Sequence, residues 1–145
     1  MSAPFRLRLR VRYGECDAQQ VVFNARYGDY IDIAATEFYR ALFGSYQALV
    51  ERGLDSQVVR QLTEWQGPAR FDEVLLIGVQ CQSLGTTSFT LHFEIRAEND
   101  LRPVARAETT YVMVDAATFQ KTPIPADIRE VFERGAPEVL INQAG

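Results

Sequence analysis

Ala25-Arg-Tyr-Gly-Asp-Tyr-Ile-Asp-Ile-Ala-Ala-Thr-Glu-Phe-Tyr-Arg-Ala-Leu-Phe43 is the long helical stretch on which the fold of this 145-residue chain turns. Tyr27, Tyr30, Ile31, Ala34, Phe38, Ala41 and Leu42 recur at three- and four-residue spacing, which makes one broad apolar face. Asn24 stands where an N-cap is expected, and Gly44 where a helix stops. Ala34 and Ala35 are small enough to let the helix backbone approach a sheet closely.

The sequence on either side has period two. Arg6 to Tyr13 alternates, with Leu7, Leu9, Val11 and Tyr13 on one face and four arginines on the other. The arginine row can attract anions, but the plainer reading is the solvated face of a half-buried strand. A shorter helix is expected over Tyr46 to Arg52, ending at Gly53. From Gln57 to Trp65 the alternation returns, and it recurs through Ile77, Val79 and Cys81. The clearest strand is Ser88 to Glu98, joined to its predecessor by a hairpin at Leu84-Gly85-Thr86-Thr87. A further strand is expected over about Val104 to Val114, and a terminal helix over Ala126 to Arg134. Consecutive strands with short links predict an antiparallel α+β sheet curled around one helix, not a doubly wound one. No internal repeat or linker divides residues 1–145, so a single domain is expected.

Composition excludes several functions. With 47% hydrophobic and 23% charged residues the chain has ordinary globular usage. Fifteen Lys and Arg against nineteen Asp and Glu give a net charge of −4, a poor footprint for nucleic acid. No apolar run matches a secretory signal or the ~20 residues of a membrane span, so a cytoplasmic protein without membrane association is expected. Cys16, Cys81 and one histidine are too few for a disulfide framework or a structural zinc site, and no metal is expected. Walker, dinucleotide-binding and Gly-x-Ser-x-Gly motifs are missing.

Chemistry is therefore sought in the link before the long helix, Arg12-Tyr-Gly-Glu-Cys-Asp-Ala-Gln-Gln-Val-Val-Phe-Asn-Ala-Arg-Tyr27. Glu15, Cys16 and Asp17 lie just ahead of a helix N-terminus, where free N–H groups and the positive dipole end favour an oxyanion. A carboxylate beside it can act as nucleophile or general base. Cys16 with His92 is a rival pair, although cysteine is commonly a small buried hydrophobe and His92 falls on the polar face of a distant strand.

The run Tyr13-Gly-Glu-Cys-Asp17, followed by Val21-Val-Phe-Asn24 and Tyr27, resembles hotdog-fold acyl-CoA thioesterases of the 4-hydroxybenzoyl-CoA thioesterase type. The likeness continues through Gly67-Pro-Ala-Arg-Phe71, Leu84-Gly-Thr-Thr-Ser88 and Pro123-Ile-Pro125. It implies a hotdog fold that hydrolyses an acyl- or aroyl-CoA thioester, with Asp17 as catalytic carboxylate and the Asn24 backbone amide receiving the thioester oxygen. Many relatives have histidine where this chain has Val21 or Asn24. Coenzyme A would then be part of the substrate, with no separate cofactor.

The resemblance also implies a homodimer or homotetramer with sites at the subunit interface. Tyr27, Tyr30 and Ile31 on the helix, with Glu64 and Trp65 on a strand of the partner, are the expected substrate-binding residues, and Thr86, Thr87 and Ser88 the expected contacts to coenzyme A. A non-catalytic acyl-CoA or acyl-carrier binder would use Asp17 only as a cap. A hotdog hydratase would need a histidine nearer the link than His92.

Overall fold

Residues 5–9, 75–79 and 89–97 bury every second side chain, and the long helix covers what they bury. The computed structural model describes residues 3–145; Met1 and Ser2, which begin the segment read for a targeting signal, lie outside them. The chain runs β1 (Phe5–Arg10), α1 (Arg26–Phe43), α2 (Gln47–Glu51), β2 (Leu54–Trp65), β3 (Val74–Leu84), β4 (Ser88–Ala97), β5 (Pro103–Asp115), α3 (Ala126–Arg134) and β6 (Leu140–Gln143). The strands form one sheet in the order β2-β5-β4-β3-β1-β6, antiparallel except where β6 runs parallel to β1. This is the expected hotdog architecture.

Leu7, Leu75, Ile77, Leu91, Phe93, Ala105 and Ala107 face Tyr30, Ile31, Ala34 and Phe38 in one continuous core. Alanines on both sides of that contact let the α1 backbone sit close to the sheet. Phe38 packs on Phe5 at a ring separation of 5.5 Å. At the C-terminal end of α1, Phe132 of α3 meets Phe43 at 5.6 Å, stacks on Phe89 at 4.5 Å and closes the core.

Several expectations are corrected. Tyr13 leaves the buried face: β1 ends at Arg10, Tyr13–Glu15 form a 3-10 turn, and Tyr13 is 80% exposed. Ala41 is exposed and Tyr39 is buried, because the apolar stripe drifts around the helix near its end. Asn24 does not cap α1, whose N-cap is Ala25 with no side-chain bond. β2 begins at Leu54, and a bulge between Val58 and Arg60 leaves Val58 and Val59 both exposed. β2 pairs with β5 rather than with its successor, so residues 66–73 cross the end of the sheet to reach β3. β6 was not foreseen; its four residues gain strand form by pairing with β1. Three of the four arginines in the row are tied to carboxylates: Arg8 to Glu98 at 2.8 Å, Arg10 to Asp72 at 3.5 Å and Arg12 to Glu15 at 2.7 Å.

Phe38 carries no exposed surface. Phe38→Ala is expected to lower stability by about 3–5 kcal/mol, read from the denaturant midpoint, because the cavity beside Phe5 cannot be refilled.

Candidate active site

The link from β1 to α1 is folded by its own backbone. The Asp17 N–H donates to the Val21 carbonyl at 2.9 Å, and the Gln20 N–H returns to the Asp17 carbonyl at 2.9 Å, with Gln20 at a φ of 64°. Bridges from Cys16 to Val22 and from Val21 to Arg70 pin this turn to the 66–73 crossover. The Gln19 N–H donates to Asp17 Oδ1 at 2.8 Å, which orients the carboxylate. Among the described residues nothing donates to Oδ2, and Asp17 is only half-buried.

Glu15 anchors the link to the helix. Its Oε1 accepts the Arg12 N–H at 2.8 Å and the Tyr30 hydroxyl at 2.8 Å; its Oε2 accepts Arg12 Nε at 3.0 Å and Nη2 at 2.7 Å. Its carbonyl accepts the Phe23 N–H at 2.9 Å. Burial pushes the Glu15 carboxyl up, but the hydrogen bonds from the Arg12 side chain and backbone and from Tyr30 outweigh it and hold it below its ordinary value. The Asn24 N–H, one residue beyond Phe23, has no acceptor among the described residues, and the eighteen-residue α1 begins two residues later. An N–H left open just ahead of a helix N-terminus can donate to an anionic oxygen.

Asp17 and Asn24 line one cavity of about 520 Å³, walled by Val21, Val22, Tyr27, Trp65 and Pro68. Trp65 meets Tyr27 edge-on at 5.9 Å. Burial raises the Tyr27 phenol to about 12, so it stays neutral. A second cavity, of about 310 Å³, opens on the other side of Asp17 and is lined by Tyr13, Cys16, Gln20 and Phe71.

The fold thus brings Asp17, Asn24, Tyr27 and Trp65 together, and the Trp65 that reaches Tyr27 is the chain's own. Tyr30 and Ile31 are fully buried in the core, where the Tyr30 phenol serves Glu15, so neither lines the cavity. Glu64 projects from the opposite face of β2 and pairs with Arg106 at 3.1 Å. Thr86, Thr87 and Ser88 sit at the far end of the sheet. Ser88 lies opposite Val112 and Trp65 opposite Ala105, a separation of roughly 24 Å along β5.

The rival pair is also separated. Burial, then the charges of Glu15 and Asp17, push the Cys16 thiol up and keep it protonated, while His92 lies on the outer face 3.7 Å from Glu94. No three His, Cys, Asp or Glu side chains converge as metal ligands among the described residues. The roles of Glu15, Tyr13 and Phe71 were missed. Glu15 follows Arg12 by three residues, a spacing that could have been read as a local ion pair; nothing local marks Phe71, which meets Tyr13 only through the crossover.

Residues 11–132 match the thioesterase-like superfamily. The chain is 33% identical over 131 residues to the acyl-CoA thioester hydrolase YbgC of Escherichia coli O6:H1, covering 90% of this chain and 96% of that protein. The crystal structure of a hypothetical protein (AQ1494) from Aquifex aeolicus superposes with a TM-score of 0.81 at 29% identity, over 89% of this chain and 99% of that one. A thioesterase superfamily structure from Jannaschia sp. CCS1 has a TM-score of 0.85 at 20% identity, over 92% and 94%, and shares the fold.

Glu15→Ala would leave the buried Tyr30 hydroxyl without its acceptor and is expected to cost about 1–3 kcal/mol in chemical unfolding at neutral pH. Because the folded Glu15 carboxyl titrates below its ordinary value, its stabilisation is complete above that value and is lost as pH falls through the folded one. The stability difference between wild type and Glu15→Gln should therefore shrink on acidification below about pH 4.5.

Proposed function

The chain belongs to the thioesterase-like superfamily and is a thioester hydrolase, and we propose on that premise that it cleaves acyl-CoA or aroyl-CoA thioesters at Asp17. The observation that carries this reading is the unengaged Asp17 Oδ2 and the unpaired Asn24 N–H on one largely apolar cavity. A thioester carbonyl carbon against Oδ2, with its oxygen at the Asn24 N–H, meets both requirements of acyl transfer. One such donor is typically worth about 2.7–4 kcal/mol to the transition state.

Two routes use these contacts. As general base, Asp17 takes a proton from water while the water oxygen adds to the carbonyl carbon. The carbonyl π pair moves onto the oxygen at Asn24. Collapse restores the C=O bond and breaks the C–S bond, and the departing thiolate takes the proton from Asp17. As nucleophile, Oδ2 itself adds and expels the thiolate, giving a mixed anhydride; water then releases the acid, regenerates the carboxylate and supplies the proton to the thiolate. In either route coenzyme A is substrate and leaves as product, so the chemistry calls for no further cofactor. Tyr27 and Trp65 would enclose the acyl group. Free Cys16 and Cys81 accord with a reducing, cytoplasmic setting.

A homodimer or homotetramer fits the β2 edge. That strand leaves one backbone ladder unpaired at the end of the sheet and exposes Val58, Val59, Leu62 and Trp65, and pairing with a twin would satisfy both. The competing reading, an acyl-CoA binder without turnover, is favoured by one observation: the Oδ1 bond to Gln19, which also suits a purely structural aspartate.

Asp17→Asn should keep the turn and the fold but lower kcat by about 100-fold or more, measured as thiol release across a series of acyl-CoAs; wild-type turnover in that variant would exclude Asp17. Cys16→Ser should retain most activity. Sedimentation velocity at micromolar concentration should give a dimer or larger, with Val59→Lys shifting it towards monomer; a stable, active wild-type monomer would contradict the β2 pairing.

A further inference from the structure

The chain holds fourteen arginines and one lysine, Lys121. A guanidinium stays charged, so Lys121 carries the only side-chain amine that can take an acyl group. It is exposed, lies opposite Val114 just beyond β5, and its ammonium has no hydrogen-bond or ion-pair partner among the described residues. The turn that presents it is tightly built. Asp115 Oδ1 accepts the N–H groups of Ala117 and Thr118 at 2.9 and 3.0 Å and the Thr118 hydroxyl at 3.3 Å. The Asp115 carbonyl accepts the Phe119 N–H at 2.8 Å, and the Asp115 N–H donates to the Gln120 carbonyl at 2.8 Å. These bonds hold Phe119 at a φ of 58°, a left-handed conformation that a bulky residue adopts at a cost. Glycine would suit that backbone better, yet the position presents an aromatic ring that is 61% exposed. Two residues of chain span at most about 7 Å, which places an exposed ring and an exposed amine within reach of one acyl thioester.

From this arrangement we infer that Lys121 is an acylation site, which takes the acyl group of an aromatic acyl thioester while the aromatic ring of that group rests on Phe119. The step needs no further reactant. The free amine adds to the carbonyl carbon, the C–N bond forms, the C–S bond breaks, and the thiolate leaves with a proton from the nitrogen, giving an amide and a free thiol. The positive charge at Lys121 is lost, and the acyl group stays beside Phe119. A thioester hydrolase meets such donors through its substrate class, and no other side-chain amine competes for them. Asp115 is no counter-ion that would hold the ammonium away, because its Oδ1 is engaged within the turn. The site is separate from the cavity at Asp17: Trp65 lies opposite Ala105 and Leu54 opposite Asp115, roughly 34 Å apart along β5.

The test incubates the full chain with benzoyl-CoA or acetyl-CoA together with free Nα-acetyllysine, and measures Nε-acyl adducts on the Lys121 peptide and on the free amino acid by mass spectrometry. Both amines share one donor pool, so their ratio does not depend on how fast the thioester is hydrolysed, and a failure of the Asp17 assignment leaves it unchanged. The expected result is a ratio for benzoylation about threefold or more above the ratio for acetylation. Phe119→Gly, which suits the φ of 58°, should bring the benzoyl ratio down to the acetyl one without moving the latter, and Phe119→Ala should agree. Lys121→Arg should abolish the adduct and leave thiol release intact. Absence of the Lys121 adduct, equal ratios for the two donors in wild type, or a benzoyl ratio unmoved in both Phe119 variants would overturn the assignment. Unfolding midpoints of the Phe119 variants separate a lost ring from a lost turn.

Discussion

The structure depends on one packing constraint: a single helix must cover the concave face of a six-stranded sheet. Ala34 on the helix and Ala105 and Ala107 on β5 set how near the two can come. Phe5, Phe38, Phe89 and Phe132 fill the space that remains towards the C-terminal end of the helix. Close packing of this kind transmits position, since a buried helix cannot slide without opening voids. Once Tyr30, Ile31 and Phe38 are seated, the N-terminus of α1 is fixed relative to every strand, and with it the Asn24 N–H.

The Asp17 loop has no core of its own and borrows rigidity from that helix. Glu15 is the link, because one buried carboxylate accepts from Arg12 on the strand side and from Tyr30 on the helix side, while its carbonyl holds Phe23. Burying a charge is expensive, and the cost is offset here only because both oxygens are fully engaged. Asp17, two residues on, is treated in the opposite way: one oxygen is tethered to Gln19 and the other is left open. A carboxylate engaged at both oxygens thus stands close to one engaged, among the described residues, at a single oxygen.

The fold was legible wherever periodicity was strong. The helix through Phe43, the β3–β4 hairpin and Ala126–Arg134 follow from residue spacing alone. Pairing order was less legible, because the partner of β2 is decided by the crossover at 66–73, whose residues carry no periodic signal. Asp17, Asn24 and Tyr27 come together because they lie within one contiguous link, whereas the Trp65 that joins them is the chain's own and not the partner's, as the family likeness had implied. Tyr30 and Ile31 were misassigned because helical spacing marks a buried face without distinguishing the core from a cavity wall. The Thr86–Ser88 hairpin lies at the far end of the sheet from this chain's Trp65, a placement that strand lengths alone do not give. The contact of Phe71 with Tyr13 could not be read from spacing, because the two lie fifty-eight residues apart.

The start of α1 shows how stability and function trade against each other. A side-chain cap at a helix N-terminus is commonly worth about 0.5–2 kcal/mol, and asparagine is among the best residues for it. Here Asn24 is present just before the helix, yet its side chain caps nothing, and the N-cap position falls to Ala25. Capping would satisfy first-turn N–H groups internally and blunt the positive end of the helix. Leaving that end open costs the fold a bond it could have made and keeps donors fixed in place before any ligand arrives. Preorganised donors of this kind need no rearrangement as negative charge develops, so the missing cap and the buried Glu15 anchor serve one end: a helix N-terminus that is rigidly held and chemically vacant.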